Sequence, residues 1–333
     1  MTVTIAEVAR HAGVSRGTVS NVMNHPELVV TATRERVTAA MQELQFIPSA
    51  HARALAGGRN RGLGLLVHDL GNPFFAEVAR GVEDAAAAHD YVVTASSTRA
   101  DANRQRTSLR VMLEQRVAGV LLTPTLDGDD GLRQLRDAKT PTVLVDQEDG
   151  SDSCSVAVDD VTGGSLAASH LIGSGHRRFA FIGGPHRVQQ HARRLRGVKR
   201  ALTKQGVKLR GGLDVISVPA DTMECGAGAA NDFLALPTPR PTAVIAGNDL
   251  LAIGFMRSLV ERGVRVPHDV ALVGYDDIDV AALLNVPLTS IRQPMYAIGQ
   301  AAAELLIDEI ENSRHTHRQL QFSPELVARQ TSG

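Results

Sequence analysis

Six residues between Ser15 and Asn21 have the types and spacing to read the edges of nucleic-acid bases. Ser15, Thr18 and Ser20 are short hydroxyl donors suited to phosphates or base edges, and backbone N–H groups at a helix start add to them. Arg16 carries a planar fork that matches guanine O6 and N7, a pairing worth about 1–3 kcal/mol of discrimination when bidentate. A phosphate contact or simple solvent exposure is the alternative for Arg16. Asn21 has the amide geometry that suits adenine, and Gly17 offers no side chain at all. Arg10, Arg34 and Arg53 are candidates for phosphate contact, because charge alone carries no sequence code.

The elements that must position these residues are three short helices. Ile5, Val8 and Ala9 recur at helical spacing behind Thr4, a candidate N-cap, and Gly13 suits the positive φ of a sharp exit. The first helix therefore ends near His11 or Ala12. Ser15 is a second candidate cap, after which Val19 and Val22 fall on one face while Arg16, Gly17, Ser20 and Asn21 point elsewhere. A third helix from Thr31 or Thr33 carries Val37, Ala40, Met41 and Leu44 until Pro48 stops it. Two helices joined by a tight glycine turn fit a helix-turn-helix whose second helix enters the major groove. Periodicity alone also fits a small structural or protein-binding module.

Beyond residue 60 the pattern becomes repeated β-then-α. Short apolar strands at 63–67, 91–95, 117–123 and 141–146 alternate with helical stretches at 74–89, 103–115 and 129–138. A second set follows, with helices at 161–172, 193–205, 224–236 and 250–261 and strands at 179–182, 215–218, 243–246 and 270–273. Such strands suit parallel sheets covered on both faces, and two sheets are expected.

Several function classes are excluded by what the chain lacks. Its 333 residues, 43% hydrophobic, allow more than one domain. The net charge of −1 is uninformative about nucleic acid, since six arginines and four glutamates share the first sixty residues. Two cysteines, Cys154 and Cys225, fit reduced thiols rather than a disulfide framework. The twelve histidines show no metal-ligand spacing, so no metal or cofactor is expected. No membrane-length apolar run and no signal peptide is visible, which points to the cytoplasm. There is no P-loop, no GxSxG elbow and no dinucleotide fingerprint after 63–67, where HDLGNPFF stands instead. His176, His186 and His191 have the pKa range for acid/base work but no evident nucleophile, and are read as surface or supporting positions.

The string IAEVARHAGVSRGTVS, continued by RERVTAAMQELQFIPS, closely resembles the DNA-binding signature of the LacI family of bacterial transcription regulators. Further matches at DLGNPFFAE, HLIGSGHRRFAFIGG, GLRQ, VPHDVALVGYDD and PLTSIRQPM extend the resemblance over essentially the whole chain. It implies an all-α helix-turn-helix domain over 1–47, a hinge helix and linker over 48–60, and an α/β two-lobed body of doubly wound sheets over 61–333, similar to periplasmic sugar-binding proteins. Lobe one is expected at about 61–161 plus 293–322, and lobe two at about 162–290 plus 323–333. The family implies homodimers on near-palindromic double-stranded operator DNA, nucleoid-associated in the cell, with recognition helix Ser15 to Asn24 in the major groove. By the same resemblance Leu55 wedges between base pairs of the minor groove with Ala52 and Ala56 close by, a role for which an apolar side chain flanked by small ones is physically suited.

Ligands in open α/β sheets sit beyond the carboxyl ends of strands. Asp69, Asn72, Phe74, Phe75, Thr123, Asp146, Arg194, Asn248, Asp276 and Gln293 meet that criterion or match family pocket positions. Carboxylates, amides and an arginine beside phenylalanines suit a sugar, which presents hydroxyls and apolar C–H faces together. A nucleoside or nucleobase is the alternative effector, and an α/β enzyme fused to a DNA-binding module the alternative class. Each residue also has a structural reading: an internal ion pair for Arg194, a turn cap for Asp276, a crossover hydrogen bond for Gln293. The chain departs from the family at three places. Asn21 stands where arginine is common, Asp146–Gln147 where Asp–Arg is frequent, and Asp221, counted with the effector set, where an aromatic ring often covers the ligand.

Overall fold

The computed structural model describes residues 3–46, 60–125, 129–147, 153–184 and 188–333. Ala52, Arg53, Leu55 and Ala56, with the rest of the expected hinge segment 49–58, lie outside the described residues, as does His186. The chain forms two compact units, one amino-terminal and one α/β. No described helix is long and apolar enough to cross a membrane.

The amino-terminal unit contains α1 (Ile5–Ala12), α2 (Arg16–Asn24) and α3 (Thr31–Glu43). Glu7 folds back onto Thr4, accepting from its backbone N–H at 2.7 Å and its hydroxyl at 2.8 Å, which satisfies donors that the first helical turn leaves open. Gly13 leaves α1 in the left-handed region at φ 65°, its N–H directed at the carbonyls of Ala9 and Arg10. Ser15 then caps α2 by accepting from Thr18 N–H at 3.0 Å. Val8, Ala9, Ala12, Val19, Val37 and Ala40 are buried together, with Ile5, Val22, Met41 and Leu44 packed around them. The apolar stripe of each helix thus meets the other two.

The α/β unit has two six-stranded sheets. The first contains β1 (Gly62–Val67), β2 (Val92–Ser97), β3 (Gly119–Leu122), β4 (Thr142–Val145), β5 (Cys154–Val158) and β11 (Gln319–Phe322), in the order β11-β5-β4-β3-β1-β2. The second contains β6 (Phe179–Gly183), β7 (Leu213–Ser217), β8 (Ala243–Ala246), β9 (Ala271–Asp276), β10 (Thr289–Arg292) and β12 (Glu325–Val327), in the order β12-β10-β9-β8-β6-β7. The pairs β1–β3, β3–β4, β4–β5, β5–β11, β6–β7, β6–β8, β8–β9 and β9–β10 are parallel, and β10–β12 is antiparallel. Central strands such as β3, β4 and β8 are buried along their whole length, as a sheet covered on both faces requires. The chain passes between the sheets three times, after β5, β10 and β11.

Helices cover the sheets: α4 (Pro73–Ala88), α5 (Ala102–Glu114) and α6 (Asp129–Asp137) follow strands of the first, α12 (Met295–Glu311) follows β10 but packs on β3, β4 and β5 of the first, and α7 (Asp160–Gly173), α8 (Gln189–Lys204), α9 (Met223–Leu234), α10 (Asp249–Glu261) and α11 (Asp279–Leu283) belong with the second. Helices α7 and α8 approach so closely that a Cβ on Gly164 would overlap the Arg194 carbonyl, and one on Gly197 the Val161 carbonyl. This contact fixes Asp160 and Arg194 side by side. The structure adds elements that the sequence pattern does not mark, namely β5, β10, β11, β12, α11 and α12, and α8 begins at Gln189, a full turn before 193.

Candidate effector cleft and DNA-reading helix

Between the two sheets of the α/β unit, one cleft is lined by His68, Asn72, Phe74, Phe75, Asp146, Val188, Gln190, His191, Arg194, Asp221, Asn248 and Asp276. Eight of the eleven residues singled out from sequence for an effector are in that set; Asp69, Thr123 and Gln293 are not. The space among them is small, about 30 Å³, and an adjoining cavity of about 160 Å³ shares His68, Asn72, Phe75, Val188 and Asp221 and adds Asp69.

Asp146 and Asp276 occupy corresponding places, directly after β4 and as the last residue of β9. Both have left-handed backbones, at φ 56° and 109°, a conformation that costs energy outside glycine and that collects at ligand sites. Burial pushes the Asp146 carboxyl well above the usual carboxylate range; Asp160 pushes it further and Arg194 opposes. Asp276 is likewise raised well above that range by burial, against the pull of Arg194. The cleft therefore concentrates acceptors that are reluctant to carry full charge. A ligand donating hydrogen bonds relieves that reluctance.

Arg194 organises these carboxylates. Its Nε donates to Asp160 Oδ1 at 2.8 Å, its Nη1 donates to the Gly247 carbonyl and lies 3.8 Å from Asp276 Oδ1, and its guanidinium stacks 3.7 Å from the Tyr275 ring centre. Burial works against the charged form, but Asp160, Tyr275, Asp276 and Asp146 together hold its pKa above the ordinary value. The internal ion pair is thus present, and the guanidinium is part of the lobe's frame as well as of the cleft wall. Removing it would strand buried carboxylates at a cost of about 3–5 kcal/mol.

Gln293 is one of the expected residues that the cleft leaves out. It does not line the cleft; its Nε2 donates to Asp276 Oδ1 at 2.7 Å and holds that carboxylate from behind. Asn72 and Asn248 line the cleft and also cap helices, accepting from Phe74 N–H at 3.0 Å and Leu251 N–H at 2.9 Å. Thr123 is buried next to β3 with its hydroxyl unpartnered, outside the lining set.

Gln190, His191 and His68 are residues that the sequence reading missed or misplaced. Gln190 Nε2 donates to Asp146 Oδ2 at 2.9 Å, bridging the two lobes. His191 is buried in the cleft wall, its Nε2 3.0 Å from Asp221 Oδ2, so it takes the supporting role rather than a surface one. His176, by contrast, is half-buried away from the cleft, its Nδ1 2.9 Å from the Thr242 hydroxyl. His68 packs edge-on to Phe75, and burial keeps its pKa below the ordinary value. The signal available for Gln190 was its offset from Arg194, one helical turn before it on the same face.

On α2 the side chains of Arg16 and Asn21 are exposed and have no hydrogen-bond partner among the described residues. Ser15 and Thr18 are engaged with each other, their hydroxyls 2.9 Å apart, and Ser20 accepts from Asn24 Nδ2 at 3.3 Å. A Cβ on Gly17 would meet Ser15 Oγ at an ordinary 3.6 Å, so the helix itself does not demand glycine there.

Comparison with known proteins places both units. Residues 4–49 match the model for bacterial regulatory proteins of the lacI family, and residues 168–332 a periplasmic binding protein-like domain. The chain is 36% identical to the HTH-type transcriptional repressor PurR of Vibrio vulnificus and 36% identical to the ribose operon repressor of Escherichia coli, covering 98% of itself and of each relative. The chain belongs to the lacI family. Its fold also matches a solved Lac repressor dimer bound to operator and an anti-inducer, at 28% identity and a TM-score of 0.85 over 100% of this chain and 99% of that one.

As a lacI-family member it is a sequence-specific DNA-binding repressor with an allosteric small-molecule site, not an enzyme. That accounts for a polar cleft with buried carboxylates but no general acid/base pair aimed at a shared reacting atom among the described residues.

Proposed function

We propose that this repressor acts as a homodimer on a near-palindromic operator and that its operator affinity is set by a small sugar or sugar derivative held between the lobes. The observation that carries this reading is the convergence of Asp146 from lobe one with Arg194, Asn248 and Asp276 from lobe two on one cleft. Adjacent sugar hydroxyls both donate and accept, so they answer carboxylates, an amide and a guanidinium at once, while Phe74 and Phe75 offer apolar walls to C–H groups. The likeness to the ribose operon repressor supports the same class. For DNA, Arg16 and Asn21 are the base readers, with Ser15, Thr18 and Ser20 at phosphates or base edges and Gly17 permitting close approach. Leu55, Ala52 and Ala56 of the hinge, within 48–60, shape the minor groove.

A nucleoside or nucleobase is the second reading, in which Phe75 supplies one face to a heterocycle. Against it, Phe74 meets Phe75 at 80° and His68 meets Phe75 at 69°, so these rings give no parallel pair to sandwich a flat base. Asp221 also stands where a covering ring would have helped.

A ligand coupled to DNA must bind one lobe orientation better than another. Occupancy of the cleft shifts the lobes, the shift passes to the partner subunit and the hinge, and the operator is released. Calorimetric titration of the full chain with ribose, other monosaccharides and nucleosides, followed by operator titration with each binder, tests this. Saturable sugar binding that weakens operator affinity supports it; tighter binding of a nucleoside replaces sugar with the second reading.

A further inference from the structure

Away from the cleft, four metal-ligating side chains meet at one edge of lobe one. Cys154 opens β5, Glu309 lies in the last turn of α12, and His315 and His317 occupy the loop between α12 and β11. One ligand atom from each lies within 4.8 Å of every other. Local spacing gave no hint of this, because Cys154 and His315 are 161 positions apart. The parallel pairing of β11 with β5, which sets Gln319 opposite Ser155, brings them together.

We propose that Cys154, Glu309, His315 and His317 form a binding site for one divalent transition-metal ion of the zinc class, which clamps the α12–β11 loop onto β5. One thiolate, two imidazoles and one carboxylate make a borderline-soft set that suits tetrahedral zinc and not calcium or magnesium. Cys154 Sγ is 3.2 Å from His315 Nε2. Neighbouring ligand atoms around tetrahedral zinc are about 3.3–3.6 Å apart for one sulfur among nitrogen and oxygen ligands, so even the widest pair needs to close by no more than about 1.5 Å. The thiol proton leaves as the sulfur–metal bond forms.

Two features beyond the ligand cluster point the same way. His315 Nδ1 lies 2.8 Å from Asp308 Oδ2, which also accepts from Arg318 Nη2 at 2.9 Å. A carboxylate behind an imidazole fixes the ring so that its other nitrogen faces the metal, the usual arrangement at zinc centres. Glu309 Oε2, meanwhile, is buried with no hydrogen-bond partner, which a thiol–imidazole contact alone leaves unexplained. A cavity of about 260 Å³ lined by Glu309 and His317 gives an ion a path to the site. The chain Cys154–His315–Asp308 also has the order of a nucleophile, base and orienter, but the Cys154 side chain is wholly buried and open to no substrate. An ion is small enough to enter where a substrate is not.

The test is titration of untagged, reduced, metal-free full-length protein with Co²⁺ and then Zn²⁺. The expected result is one Co²⁺ per chain, with the absorption of a tetrahedral ion and a thiolate-to-cobalt charge-transfer band, both bleached by one equivalent of Zn²⁺. Cys154→Ser abolishes the charge-transfer band, and Asp308→Asn, which touches the metal only through His315, weakens binding about 10–100-fold. His317→Ala, at an exposed position that the fold does not need, weakens binding while leaving the circular dichroism unchanged. Absence of stoichiometric binding, a cobalt spectrum without the thiolate band, or unchanged affinity in His317→Ala would overturn the proposal.

Discussion

Gln190 Nε2 donates to Asp146 Oδ2 at 2.9 Å, a direct bond from lobe two to lobe one across the cleft. The same amide also donates to the Asp146 carbonyl. Lobe closure therefore has a latch of its own, built from a residue that also lines the ligand space. An effector acts on an equilibrium that this bond already biases, and only its differential affinity for the two orientations moves it.

Gln190→Ala should loosen that latch. The variant loses both bonds to Asp146, of which the one to the carboxylate alone is worth about 1.5–3 kcal/mol, so effector affinity falls by roughly tenfold or more and the effector-free body becomes more open. Small-angle scattering reads the second effect as a larger radius of gyration. An unchanged radius and unchanged effector affinity would mean that the bond does not govern closure.

Arg16→Ala should relax base preference at one position in each half-site. The loss is about 1–3 kcal/mol against the preferred base and little against the others. Ser15 is a poorer probe, since its alanine variant also removes the α2 cap, worth about 1 kcal/mol of folding stability. Selection of operators from a randomised pool checks the assignment; wild-type preference in Arg16→Ala would move Arg16 to a phosphate.

Stability should depend on pH through Asp249. This carboxylate is buried at the start of α10, accepting from Ile278 N–H at 2.9 Å and Ser290 Oγ at 2.6 Å, and burial pushes its pKa up to about 7 from 3.8. Below about pH 4 both folded and unfolded states hold the proton. Between about pH 4 and 7 the unfolded chain ionises first, so folded stability falls as pH rises, by at most about 4 kcal/mol once pH passes 7. Asp249→Asn cannot ionise; it forfeits one acceptor, so it is less stable than wild type at pH 5, and the gap narrows by pH 8. Urea unfolding at both pH values measures this, and a gap independent of pH would contradict it.

Much of this architecture is legible in the residues themselves. The core of the reader, from Val8 to Ala40, follows from helical spacing because a three-helix unit buries one stripe per helix. Positions after strands, such as Asp146 and Asp276, follow from where open sheets bind ligands. What stayed hidden has physical reasons. The first turn of α8 is polar because it faces a cleft, so Gln190 and His191 lack the apolar stripe that marks a helix. Gln293 reads as a ligand contact because a residue that holds Asp276 has the same chemistry as one that holds a sugar. Cys154 and His315 meet only through a strand pairing formed after the chain has crossed to the other lobe and back.

The central claim is that occupancy of the Asp146–Asp276 cleft sets operator affinity, and operator titration of wild type and Asp276→Asn across effector concentrations tests it most directly. Asn keeps the shape and the oxygen that accepts from Gln293, but it removes the carboxylate offered to a ligand hydroxyl. Wild type should lose operator affinity as effector rises, and Asp276→Asn should need at least about tenfold more effector for the same response, as loss of one charge-assisted hydrogen bond predicts, while binding effector-free operator as wild type does. Equal effector dependence in the two proteins, or impaired effector-free DNA binding by the variant, would contradict the account.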